Sequence, residues 1–199
     1  LLWIYSRTGF KLMAFLSEKL ISASGGVQEE TDDDFNLVSF LSHFDGTNGA
    51  YNHANTSFNS ASSGSGNINP YPAGVVGQGT FSPFSADEGK WSVSFDGTDD
   101  YFSLPNHSDF TFGSGNWTVE AFVNVNAIDT NYKCIYSASY GVQFYVYNNQ
   151  LHLGINDTDN TSGWMITANS TAGQIASAGV WYHVAAYRDG SNFYCSVDG

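Results

Sequence analysis

Basic side chains are scarce. Only 6 Lys and Arg stand against 19 Asp and Glu in 199 residues, a formal charge of −13. A protein that grips a phosphate backbone shows a basic face, so nucleic acid is excluded as a ligand class. The shortage is lopsided: Arg7, Lys11 and Lys19 precede residue 20, and only Lys90, Lys133 and Arg188 follow, against 18 acids. Such a body repels polyanions. Long apolar runs are lacking too. None approaches the roughly 20 residues of a membrane helix, so no membrane insertion is expected. Cysteine is limited to Cys134 and Cys195, too few for a disulfide framework or a zinc knuckle. Two buried free thiols are the simplest account, and a single bridge is the alternative. Helical period is nearly absent after residue 22.

What is present suits a packed core. Apolar residues make up 42% and charged residues 13%, which excludes a disordered chain. A chain of this length buries about 70% of its unfolded surface, enough for one domain plus a tail. The chain opens on Leu1, and a plausible start stands at Met13, so residues 1–12 read as upstream, non-native translation. Residues 13–34 read as an N-terminal anchor, with a short helix at 13–21 and an acidic linker from Gln28 to Asp34. The body then runs from 35 to 199. Asp198-Gly199 is a hairpin-turn signal after a strand pattern, so a C-terminally truncated body is expected.

Period-2 alternation carries the fold. Leu37 to Phe44 reads as a strand, and residues 46–80 as a long Gly/Asn/Ser-rich excursion. Phe144 to Ile155 reads as a hairpin turning at Asn148-Asn149, a pair that tolerates positive φ. Val146 then faces Leu151, Phe144 faces Leu153 and Val142 faces Ile155. The alternate face pairs Tyr147 with Gln150 and Tyr145 with His152. A second hairpin turning at Asp189-Gly190 would set Ala186 opposite Phe193, Val184 opposite Cys195 and Tyr182 opposite Val197. Trp117 to Val125 is a further strand, with Trp117, Val119, Ala121, Val123 and Val125 on one side. Strands with one apolar face each, joined by Gly/Asn/Asp turns, predict an all-β, two-sheet antiparallel sandwich.

Five segments resemble a known family. They are Phe95-Asp96-Gly97-Thr98-Asp99-Asp100-Tyr101, Trp117-Thr118-Val119-Glu120, Trp181-Tyr182-His183-Val184-Ala185, Arg188-Asp189-Gly190 and Val197-Asp198-Gly199. Together, in this order, they resemble the laminin G-like, concanavalin A-like jelly-roll sandwiches, from about Phe35 to Gly199. The resemblance implies a jelly-roll sandwich, and further strands beyond Gly199. A narrower likeness is to versions found in bacteriophage virion proteins, particularly marine phage tail and fibre proteins. It rests on His43-Phe44-Asp45-Gly46-Thr47-Asn48-Gly49, on Gln78 to Ser85 and on Glu88-Gly89-Lys90-Trp91. It implies an extracellular module at the virion surface, often on an adsorption appendage.

Catalytic constellations are weak. Glycoside hydrolysis needs two carboxylates roughly 5–9.5 Å apart. Glucanases that resemble this fold carry two Glu and an Asp alternating on one strand. Here Glu120 is the only glutamate after residue 88, and Phe122 stands where the next acid would be. His43, His53, His107, His152 and His183 are scattered, with no nucleophile elbow or Cys-His signature. No enzyme is expected. Asp157 to Thr161 has acids at calcium-loop spacing, but Ser162 and Ala168 stand where an EF-hand needs Gly and Glu. The resemblance to laminin G-like domains implies calcium at a loop rim. Asp96, Asp99 and Asp100 are the candidate ligands, although a tight turn prefers the same residues. Six Asn-x-Ser/Thr acceptors, at Asn55, Asn106, Asn116, Asn156, Asn160 and Asn169, are nearly what composition yields; they do not argue for secretion.

Aromatic residues, 16% of the chain, remain. Most should pack the sandwich. Tyr145, Tyr147 and His152 are set by the hairpin register on the face away from the apolar one, with Gln150 beside them. Sugars present apolar C–H faces and hydroxyl rims, which aromatic faces flanked by amides suit. The expectation is a non-enzymatic recognition module binding host-surface carbohydrate. The alternative is a structural head or tail decoration or fibre protein, whose aromatics pack against other virion proteins or in a homo-oligomer.

Overall fold

The computed structural model describes residues 92–104, 110, 112–138, 141–155 and 174–199 in full. It describes the backbone alone at 2–5, 10–13, 71–73, 77–79, 156 and 164–169. The strand expected at Leu37–Phe44, the helix beyond Met13 and the acidic linker lie outside the described residues.

Every described strand pairing is antiparallel. The strands are β1 (Leu2–Tyr5), β2 (Phe10–Met13), β3 (Tyr71–Ala73), β4 (Gly77–Gly79), β5 (Ser92–Phe95), β6 (Tyr101–Leu104) and β7 (Trp117–Val125). They continue as β8 (Lys133–Ser137), β9 (Val142–Tyr147), β10 (Gln150–Asn156), β11 (Trp164–Asn169), β12 (Trp181–Asp189) and β13 (Asn192–Val197). One layer is the six-stranded order β13-β12-β7-β2-β5-β4. The other combines β11-β10-β9-β8 with β1-β6-β3, where β1 runs alongside β8. This is the expected two-sheet sandwich. β1 and β2 fall in the stretch read from sequence as lying before the body, and β3 and β4 fall within the excursion of 46–80. Pro72 sits in β3, at the edge of its sheet among the described strands, a position where proline is tolerated.

Alternation explains the core. In β9 the burial pattern is strictly alternate, with Val142, Phe144 and Val146 inside. Leu151 and Leu153 of β10 meet them, and Val123, Val125 and Val184 close the opposite layer. Phe95 and Phe102 meet edge to face at 5.6 Å. Full burial of each such side chain stabilises the fold by about 1.5–3 kcal/mol.

The β9–β10 hairpin has the predicted register throughout, including Tyr145 opposite His152. Asn148 and Asn149 both take positive φ, 48° and 56°, the signature of a two-residue type I′ turn. The β12–β13 hairpin differs from expectation by two residues. Asp189 closes on Asn192, so Gly190-Ser191 is the turn, Ala186 faces Cys195 and Val184 faces Val197. Gly190 alone has positive φ, 59°, as the first position of a type II′ turn requires. A two-residue shift leaves every side chain on its predicted face. Cys195 therefore still packs against the core.

Candidate functional site

The outer face of β8, β9 and β10 gathers the predicted aromatic residues. Tyr145, Tyr147, Gln150 and His152 are all half-buried there, opposite the core-facing set. Tyr145 and His152 stack with ring centroids 5.2 Å apart and planes 4° from parallel. Tyr147 meets His152 edge to face at 6.0 Å. Gln150 pairs directly with Tyr147 across the turn, which puts its amide at the rim.

A fourth ring was not foreseen. Tyr132, immediately before β8, stacks on Tyr147 at 4.7 Å and reaches Tyr145 at 5.2 Å. At 56% exposed it is the most solvent-facing ring of the group. Period-2 reading misses it because it stands outside the strand, and β8 itself has a bulge between Cys134 and Tyr136. The usable signal was its place next to a strand that pairs with β9. Such ring pairs contribute about 0.5–1.5 kcal/mol each beyond area burial, so the platform is pre-formed.

Its electrostatics are those of a neutral surface. Burial pushes the His152 imidazole below its ordinary value, although the Tyr147 carbonyl partly counters this. Its Nε2 is buried with no hydrogen-bond partner among the described residues. Burial, then the neighbouring Tyr132, Cys134, Cys195 and Tyr147, pushes the Tyr145 phenol up. At neutral pH these groups carry no charge. The face offers flat apolar rings with polar edges.

The acidic candidates also converge. Ligand oxygens of Asp96, Asp99 and Asp100 all lie within 4.8 Å of one another, in the turn from β5 to β6. Asp100 is fully buried, while Asp96 and Asp99 are exposed. Two of the oxygens serve the turn itself. Asp96 N–H donates to Asp100 Oδ2 at 2.7 Å, and Thr98 N–H donates to Asp96 Oδ1 at 2.7 Å. The donor set is all oxygen, as calcium prefers.

Glu120 lies on the outer face of β7, with Oε2 3.2 Å from His183 Nε2. Its outward neighbours on the strand are Thr118 and Phe122, neither an acid. Phe122 lies against the His183 ring instead, at 5.0 Å. His43, His53 and His107 lie outside the described residues, as does the Asp157 to Thr161 segment. Neither cysteine is in a disulfide, and burial pushes the Cys195 thiol up to about 12. Of the glycosylation motifs, Asn116 is committed elsewhere. Its Oδ1 accepts from Gly190 N–H at 2.9 Å, and its Nδ2 donates to Asp189 Oδ1 at 3.3 Å.

The sequence profile of a family described as the concanavalin A-like lectin/glucanases superfamily matches residues 96–199. No curated protein and no solved structure matches.

Proposed function

The chain belongs to the concanavalin A-like lectin/glucanases superfamily, and on that premise we propose that it is a non-enzymatic recognition module that binds carbohydrate through the outer β8–β9–β10 face. The observation that carries the reading is the four-ring cluster of Tyr132, Tyr145, Tyr147 and His152 on that face. Aromatic faces pack against the C–H faces of pyranose rings, and the Gln150 amide and ring hydroxyls meet the hydroxyl rim. If each contacting ring contributes about 1 kcal/mol, one site binds no better than the millimolar scale. Useful affinity then comes from several copies on one appendage.

The setting we propose is the surface of a bacteriophage particle, with host-surface glycan as the target. The support is the likeness of His43 to Gly49 and Gln78 to Ser85 to phage tail and fibre proteins. Calcium at the turn of Asp96, Asp99 and Asp100 belongs to the same proposal. Those three carboxylates would hold the ion, which would stiffen the β5–β6 connection. Calcium should then raise the thermal midpoint of wild type and leave Asp99→Asn unmoved. Equal shifts in both would remove the metal from the proposal.

Binding to a panel of purified bacterial envelope polysaccharides tests the main reading, with Tyr145→Ala/Tyr147→Ala as the control. Binding lost in the double variant supports the reading and its site. Binding retained by the variant keeps the function and discards these residues. With no binding even by a multimerised chain, the rings serve packing against other virion subunits or a second copy.

A further inference from the structure

Lys133 occupies a core-facing position. It pairs with Val146 in the β8–β9 ladder, where the alternation calls for an apolar side chain, yet it is 1% exposed. An ammonium group taken from water is tolerated only with a partner. Its partner is Asp129, four residues back, which Lys133 Nζ meets through Oδ1. Replacing a buried ion pair by apolar residues of similar volume is often neutral or stabilising. Stability therefore gives little reason for a lysine here, and the geometry supplies another.

Asp129 is the hub of the short loop that carries Tyr132. Asn131 N–H donates to its Oδ1 at 3.0 Å, and Asn131 Nδ2 donates to its Oδ2 at 3.1 Å. Bonds from residues 131 and 133 therefore converge on one carboxylate, and they bracket Tyr132 on both sides. The Asp129 carbonyl also accepts from Asn148 N–H at 3.1 Å, which ties the loop to the turn following Tyr147. The loop is thus fixed at both ends of the Tyr132–Tyr147 stack.

We infer that Lys133 and Asp129 are positioning residues, whose pairing holds the Tyr132 ring against Tyr147 and so completes the recognition face. The part of this inference that concerns binding rests on the carbohydrate reading; the part that concerns the ring does not. Without the pair, Tyr132 would be an exposed side chain on a free loop, and a ligand would have to order it on arrival.

The test uses the full chain with Lys133→Met, Tyr132→Ala and their combination. Asp129→Asn is the second variant, and persistence of the Phe144 and Leu153 contacts shows whether it keeps the fold. The first readout needs no ligand: nuclear Overhauser contacts between the Tyr132 and Tyr147 rings. They should be present in wild type and lost in Lys133→Met and Asp129→Asn, while the contacts of Phe144 and Leu153 persist. The second readout is affinity for the envelope polysaccharide that wild type binds. Tyr132→Ala and Lys133→Met should each weaken it about fivefold, the equivalent of one aromatic contact. The combination should weaken it no further, because both remove the same ring. Ring contacts that survive in Lys133→Met and Asp129→Asn would overturn the inference, as would losses that multiply in the combination. A wild type that binds no polysaccharide, but loses the ring contact in both variants, would sink the carbohydrate reading and leave the positioning role standing.

Discussion

Tyr136 carries its hydroxyl into the core. The residue is 7% exposed, and its oxygen has no hydrogen bond among the described residues. Burial pushes its phenol well above the ordinary tyrosine value. Its ring packs against Phe112 at 5.5 Å, a contact that a phenylalanine would retain. An unsatisfied buried hydroxyl costs about 1–3 kcal/mol. Tyr136→Phe should accordingly raise the unfolding free energy by about 1 kcal/mol and the thermal midpoint by about 2–4 °C. Chemical and thermal denaturation check this, and a loss of stability would mean that the hydroxyl is bonded. Burial also separates Cys195 from thiol chemistry. A Cys195 thiol pushed up to about 12 by burial is almost wholly protonated at neutral pH and a poor nucleophile.

At the scale of the element, the two hairpins show what a turn sequence can and cannot announce. Asn148-Asn149 admits a single reading, because both central residues of a type I′ turn need positive φ and both asparagines tolerate it. Gly190 admits two, since glycine serves as the second residue of a type I′ turn or the first of a type II′ turn. Contacts from far along the chain decide between them. Asn116 accepts from Gly190 and donates to Asp189, and Arg188 Nη1 donates to the Gly113 carbonyl at 2.8 Å. These bonds favour the turn at Gly190-Ser191. A Cβ at Gly190 meets nothing within 4 Å, so only the backbone opposes a substitution there. Gly190→Ala should cost about 1–2 kcal/mol in a denaturant titration. Ser191→Ala, outside the left-handed region, should stay within about 0.5 kcal/mol of wild type.

For the whole molecule, pH links the aromatic face to stability. The folded His152 has a lowered proton affinity, chiefly through burial. Below its ordinary value of about 6.5, the unfolded chain binds a proton that the folded chain refuses. Unfolding free energy therefore falls as pH drops from 7 toward 5. His152→Phe keeps a ring against Tyr145 and removes the titration, so that slope should flatten in urea unfolding at pH 7 and pH 5. An unchanged slope would assign it to other groups. Asp129 acts lower down. Burial raises its carboxyl, but the hydrogen bonds from Lys133 and Asn131, with the ammonium charge, outweigh this and hold it below the ordinary range. Its contribution is complete above about pH 4 and disappears only as pH falls through its lowered value.

Alternation and turn chemistry are local, and the parts of this protein that depend on them were readable without a structure. They include the all-β class, the inward faces of β7, β9, β10 and β12, the register of the Asn148-Asn149 hairpin and the gathering of Tyr145, Tyr147 and His152. Even the two-residue slip at Gly190 preserved every face, because a strand repeats every second residue. The convergence of Asp96, Asp99 and Asp100 is local as well, within one five-residue turn. Tertiary structure decided what distant segments do to one another. It placed β2 between β5 and β7 in the six-stranded sheet and set Glu120 against His183 rather than beside a second acid. It also brought a loop residue, Tyr132, onto a face that strand periodicity had left one ring short. No periodicity encodes a buried lysine reaching back to its own loop; the low dielectric of a core assembled by other strands made Asp129 its necessary partner.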